Sequence, residues 1–200
     1  MSAPRLPLHG LASDRTGTAA VEFALLFPIM LALFIGTYEV ENVLMADLKV
    51  TAAAETAADL VAQTTATYGA LQATDFTNFT SATAAVLSPM PVGTNNNLVK
   101  IAFASVTYST GTPVIDWHVE ENGATAITTT SVPNGTSLTN LGSATNGSLD
   151  SVIVVQLQYT YSSPISYVMS SSYTLSEAAF NRPRYVTCVP TYKNTNSVCP

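Results

Sequence analysis

Residues 19–38, opening at Ala19 and closing at Tyr38, read AAVEFALLFPIMLALFIGTY and carry a single charge, Glu22. As a helix rising about 1.5 Å per residue, this run reaches about 30 Å, the thickness of a bilayer's hydrocarbon core. A globular core helix of that length normally shows a polar stripe, and this one shows none. The run therefore predicts a membrane span. Pro28 lies inside it, removing one backbone donor and leaving the Ala24 carbonyl without its usual helical partner. Membrane helices accommodate such a gap through neighbouring groups, so a kink or locally opened turn is expected there. A cleaved secretory signal is the competing explanation. Its apolar region usually runs about 7–15 residues and ends in a small-residue cleavage site. Here the run is longer, Tyr38, Glu39, Val40, Glu41 and Asn42 come directly after it, and the cluster Ala52, Ala53, Ala54 lies too far downstream.

Flanking charge orients the span. Arg5 and Arg15 precede it, while Glu39, Glu41 and Asp47 lie beyond it before the first lysine, Lys49. The positive-inside rule places the N-terminus in the cytoplasm and exports the chain beyond Tyr38. Composition agrees: only 10% of residues are charged, well under the roughly 25% of soluble domains, and Ser and Thr crowd the chain beyond Thr51. The net charge of -6 and the scattered basic residues Lys49, Lys100, Arg182, Arg184 and Lys193 form no stripe that could displace phosphate counterions. A nucleic-acid partner is excluded on that ground. Cys188 and Cys199 are the two cysteines. In an exported domain they are expected to close a small terminal loop as a disulfide, contributing roughly 2–3 kcal/mol through chain entropy. The alternative is a pair of free cytosolic thiols; with no nearby His they do not complete a zinc shell.

The most specific local pattern is Gly17-Thr18-Ala19-Ala20-Val21-Glu22-Phe23, directly behind the basic leader that ends Asp14-Arg15-Thr16. The stretch DRTGTAAVEFALLFPIMLALFIGTYEV closely resembles the TadE/TadG-like family, the minor pilin-like proteins of tight-adherence (Flp) pilus systems. Distally, VIVVQLQYTYSSPIS and LSEAAFNRPRYVTC resemble that family's late strand and its Arg-Pro-Arg segment near a Cys. The resemblance implies cleavage by a prepilin peptidase between Gly17 and Thr18, which leaves Glu22 at the fifth mature position. It further implies that Glu22 pairs with the N-terminal amine of a neighbouring subunit during assembly. A carboxylate at mid-membrane costs about 2.5–3.5 kcal/mol on insertion scales, which an ammonium partner could offset. The plainer alternative is that Glu22 sits at the headgroup boundary and reaches water. TadG-type relatives keep the helix as an uncleaved anchor, whereas the Gly and Glu spacing here favours processing.

Beyond the span, Val40, Val43, Leu44, Leu48, Ala52 and Val61 recur at three- and four-residue intervals without Pro or Gly. They predict that the helix continues to about Thr65, with Gly69 as a stop. Its Ala-rich surface suits either close helix–helix approach or packing on the chain's own β domain. The chain thus divides into four segments: a cytoplasmic leader (1–17), the membrane helix and its stem (18–67), a transition (68–97) with weak helical character before a Pro/Asn loop, and an exported β-rich domain (98–200). In the last, residues 98–108 and 114–120 read as a hairpin, with Trp117 at the centre of its second strand. Residues 151–161 read as a central strand packed by the stem. Residues 125–147 are expected to be an exposed mobile excursion with weak strands, 164–176 a loop, and 177–188 a return to the sheet edge. The fold class is α+β, a long membrane-spanning stem followed by a mainly antiparallel sheet.

No catalytic or metal set emerges. His9 is cytoplasmic, His118 is the other histidine, and no G-x-S-x-G turn or phosphate-cradling Gly loop is present. Asp116 and Glu120 are expected on one face of a strand as a solvated edge. The sequence thus predicts no enzyme, no metal and no cofactor. The resemblance implies a minor pilin-like subunit or assembly factor of a tight-adherence pilus, single-pass in a bacterial inner membrane with its β domain periplasmic. Its partners would be other pilus subunits, assembly-machinery proteins and the prepilin peptidase. The alternative is a membrane-anchored periplasmic binding module that never enters a filament.

Overall fold

The computed structural model describes residues 17–65, 67–109, 112–133, 151–165 and 172–193. The leader, with Arg5, His9 and Arg15, lies outside the described residues, as do Cys199 and residues 134–150, where weak strands were expected.

Helix α1 (Thr18–Ala62) is continuous through Pro28 and, at 45 residues, extends about 67 Å. The locally opened turn expected at Pro28 does not interrupt it. A membrane helix loses one bond at Pro28, but the turns on either side hold it in register. α1 ends three residues before the expected Thr65. The Thr64 hydroxyl donates to the Val61 carbonyl at 2.8 Å, and the Arg184 N–H donates to the Ala62 carbonyl at 2.9 Å. These groups satisfy carbonyls that a further helical turn would otherwise take. Gly69, at φ +83°, turns the chain well after the helix has stopped.

The transition segment contains a true helix, α2 (Ala73–Val86), opened by a capping box in which Gln72 and Asp75 bond each other's backbone N–H. Beyond it come four antiparallel strands: β1 (Val99–Ser109), β2 (Thr112–Glu121), β3 (Ser151–Tyr161) and β4 (Tyr173–Asn181), in the order β2-β1-β3-β4. The expected hairpin is β1–β2, and β3 is central as expected. β4 starts at Tyr173, inside the stretch expected to be loop. Ser-rich flanks hid its first half, but Leu175, Glu177 and Ala179 alternate against β3's Tyr159, Leu157 and Val155 in register; the expected edge return at 177–188 is strand only as far as Asn181.

One sheet face packs on the helices. Val99, Ile101 and Phe103 of β1, Trp117 and Val119 of β2, and Ile153, Val155, Leu157 and Tyr159 of β3 meet Ala46, Val50, Ala53, Ala54, Ala57, Ala58 and Val61 of α1. Phe76 of α2 closes the layer, its ring 5.6 Å from Trp117 and 5.3 Å from Phe103. The Ala-rich stripe over residues 46–62 therefore serves the chain's own sheet, where small side chains let the helix axis come close. Val40, Leu44 and Leu48 point outward instead and remain about half to two-thirds exposed.

The other face is covered too. Ile127 and Val132 are buried there on Ala102, Ala104, Val106, Val152 and Val154, and the Tyr108 hydroxyl donates to the Pro133 carbonyl at 2.8 Å. The start of the expected exposed excursion is thus a lid over the sheet. Two isolated apolar side chains within Thr-rich sequence suffice to anchor it, a pattern too sparse to register as periodicity.

Candidate functional site: the exposed helix, its junction and the tail clamp

At the membrane end, Gly17 is the N-cap of α1 at φ -83°, and Thr18 is its first residue. That backbone is open to any amino acid, and a Cβ on Gly17 would meet nothing within 4 Å. Local conformation gives no reason for glycine there. Glu22 is exposed on the next turn, and around it Val21, Phe23, Leu25, Leu26, Phe27, Ile29, Met30, Leu33 and Phe34 are exposed as well. The most apolar window of α1 has none of its residues buried within the protein. So large an unburied apolar surface is not stable in water, and the helix is long and apolar enough to cross a membrane.

Where this rod meets the sheet, Glu39 is fully buried. In the sequence it reads only as a flanking charge; its burial depends on the far end of β3 folding back over α1. Tyr161, at that end, has its hydroxyl pKa raised by burial, then by the negative charge of Glu39 and by Tyr38. Beside this junction a cavity of about 670 Å³ opens between α1 and the Pro89-Met90-Pro91 segment, with Tyr38, Met45 and Tyr161 in its wall.

At the opposite end of the sheet a buried polar cluster replaces the expected solvated edge. The β1–β2 register shifts between Ser105 and Val106, with Trp117 opposite Ser105 and Ile115 opposite Val106. Asp116 is the extra residue of that bulge, so it and Trp117 are buried side by side. Asp116 Oδ2 accepts from Ser105 Oγ at 2.9 Å and Thr107 Oγ1 at 2.8 Å. Burial raises the Asp116 pKa, while the Thr107 and Ser105 hydroxyls pull it down. Glu120 is separated from Asp116 by the bulge and instead contacts His118 Nδ1, with Lys193 Nζ at 3.8 Å. Alternation could not foresee this, because a bulge breaks the period of two on which facing is judged.

The C-terminal segment clamps this end. Trp117 Nε1 donates to the Val189 carbonyl at 2.8 Å, and Leu71 exchanges backbone bonds with Pro190 and Tyr192. Cys188 Sγ lies 3.8 Å from Ser105 Oγ. Its expected partner Cys199 is outside the described residues, so the pairing stands as an expectation. Arg184, from the Arg-Pro-Arg segment, pairs its guanidinium with Asp59 and caps α1 through its backbone N–H. A cation at a helix C-terminus also complements the helix dipole. Among the described residues no group of three or more His, Cys, Asp or Glu side chains is placed to hold a metal ion.

Residues 17–59 match the family model described as TadE-like protein. That stretch is TadE-like. It begins at the N-cap glycine and ends on Asp59, so it covers the exposed rod and most of the stem but none of the sheet. The match agrees with the TadE/TadG-like resemblance of the sequence. Together with the exposed apolar helix it fits a membrane-anchored protein associated with a Tad pilus. No curated protein and no solved structure matches the chain.

Proposed function

We propose that this TadE-like chain is a minor pilin-like subunit or assembly factor of a tight-adherence (Flp-type) pilus. It acts through its helix in the inner membrane and presents the sheet domain in the periplasm. The observation that carries the reading is one continuous helix whose residues 18–34 are all exposed and, Thr18 and Glu22 apart, apolar, and whose second half is welded to a sheet by alanines. Such a rod couples whatever its membrane half binds to the position of the exported domain. It works as an assembly element without catalysis.

Processing between Gly17 and Thr18 is part of the proposal. Support comes from the open space and ordinary φ at Gly17, which leave recognition by a peptidase as the reason for glycine. Cleavage there frees an amine at Thr18, one turn from Glu22, so that a neighbouring subunit's Glu22 could pair with it. The Cys188–Cys199 disulfide would then lock the tail clamp in the oxidising compartment.

Mass determination of the membrane-extracted protein tests leader removal and thiol state in one value. Loss of residues 1–17 and of two thiol hydrogens is expected. An intact leader in cells making the pilus would refute processing. Glu22→Ala, stable and membrane-inserted, should abolish piliation; normal piliation would instead favour an anchored periplasmic binding module.

A further inference from the structure

β4 is an open edge. Among the described residues Tyr173–Asn181 pairs with β3 alone, so the outer N–H and C=O groups of a nine-residue strand have no strand partner. Its sequence, YTLSEAAFN, has none of the lysines, prolines or bulges that usually blunt such an edge. Between this edge and α1 runs a groove of about 520 Å³, floored by Ala54, Ala58 and Ala179. Its charge is of one sign. Glu55 projects from the helix side and Glu177 from the strand side, while Asp59 is already paired with Arg184. Neither Glu55 nor Glu177 has an ion-pair partner among the described residues.

We propose that this groove takes an extended basic segment of a different polypeptide, added antiparallel or parallel to β4 as a fifth strand. Main-chain bonds to the edge supply the affinity. Lysine or arginine at alternate positions reaches Glu55 and Glu177, its aliphatic stem lying on the alanine floor, while the residues between them face the other side of the sheet. A second copy of this chain fits poorly. Its net charge is -6, its seven basic residues are scattered, and edge-to-edge pairing of two β4 strands would bring Glu177 toward its own mate. The partner is therefore heterologous and basic. This site is remote from the exposed apolar helix and goes beyond the assembly reading above. Binding on purified protein is read independently of piliation, so either can fail alone.

The test uses the full chain in detergent micelles and a fluorescein-labelled hexapeptide, Thr-Lys-Val-Lys-Val-Thr, monitored by anisotropy at near-physiological salt. Two comparison peptides accompany it: one with Glu for Lys, and one N-methylated at every residue. The N-methylated peptide keeps the charge but can donate no main-chain bond to β4 from either edge. Saturable binding of the parent is expected, with slowed amide exchange confined to Tyr173–Asn181 and its neighbour β3. The acidic and N-methylated peptides should bind at least about tenfold more weakly, as should the parent on the Glu55→Lys/Glu177→Lys variant. The near-isosteric Glu55→Gln/Glu177→Gln variant, with unchanged Trp117 fluorescence as the folding check, should also bind weakly. Equal binding of parent and N-methylated peptides, or protection on β2, would overturn the proposal. So would self-association of Glu177→Gln through β4, because Glu177 would then be a guard against pairing.

Discussion

Ala57→Leu and Ala52→Leu are the same substitution in the same helix, five residues apart, and they should behave oppositely. Leu and Ala differ little in helix propensity, so the intrinsic effect on α1 is small at both sites. Ala57 is fully buried between Ala53, Ala54, Ala58 and the sheet, all with no more than 1% exposure among those alanines. Three added carbons have no room there, and overpacking of this kind costs about 1–3 kcal/mol. Ala52 is exposed on the opposite face, where a change should stay within about 0.5 kcal/mol. For a domain of this size each kcal/mol moves the midpoint by roughly 2–4 °C, so Ala57→Leu should melt about 2–12 °C lower. The assay is thermal unfolding in micelles, monitored by fluorescence of Trp117, the single tryptophan, which sits under Phe76 in the layer that α1 covers. If Ala57→Leu is neutral while Ala52→Leu destabilises, the stem packs its alanines elsewhere and the derived layer is wrong.

Trp117→Phe removes the donor to the Val189 carbonyl and should destabilise by about 1–3 kcal/mol, measured by urea unfolding with far-UV circular dichroism as the probe. The same variant should speed exchange of the Leu71 and Tyr192 amides, since the clamp loses its central pin. Asp116→Asn keeps an acceptor for Ser105 and Thr107 but cannot ionise. Because burial raises the Asp116 pKa, its contribution is fully present below the ordinary 3.8 and is lost as pH rises through the folded value. The variant should therefore gain stability relative to the parent between acidic and neutral pH in denaturation curves; a constant difference would refute the burial argument. Gly93→Ala should cost about 1–3 kcal/mol by thermal unfolding, since φ is +76° and a Cβ would lie 1.9 Å from Asn97 Oδ1.

The amino-acid sequence by itself determined the architecture's outline. A 20-residue apolar run with one charge has a single economical setting; its span comes from unbroken apolar length, and its continuation as a stem and the central place of 151–161 from the local spacing of apolar residues. Those features are local, carried by residues within one element. What only the tertiary structure decided was facing. Glu39 reads as a flanking charge until β3's end covers it, Asp116 as a solvated edge until a bulge turns it inward, and Ile127 as part of a loose loop until the sheet's second face needs cover. The return of the chain to the sheet edge was legible at 177–188, but the first half of β4 was hidden by its polar flanks and is strand because β3 offers an unpaired edge. In each case the deciding partner lies outside the segment itself, and burial by a distant element leaves no periodic trace in the residues it buries.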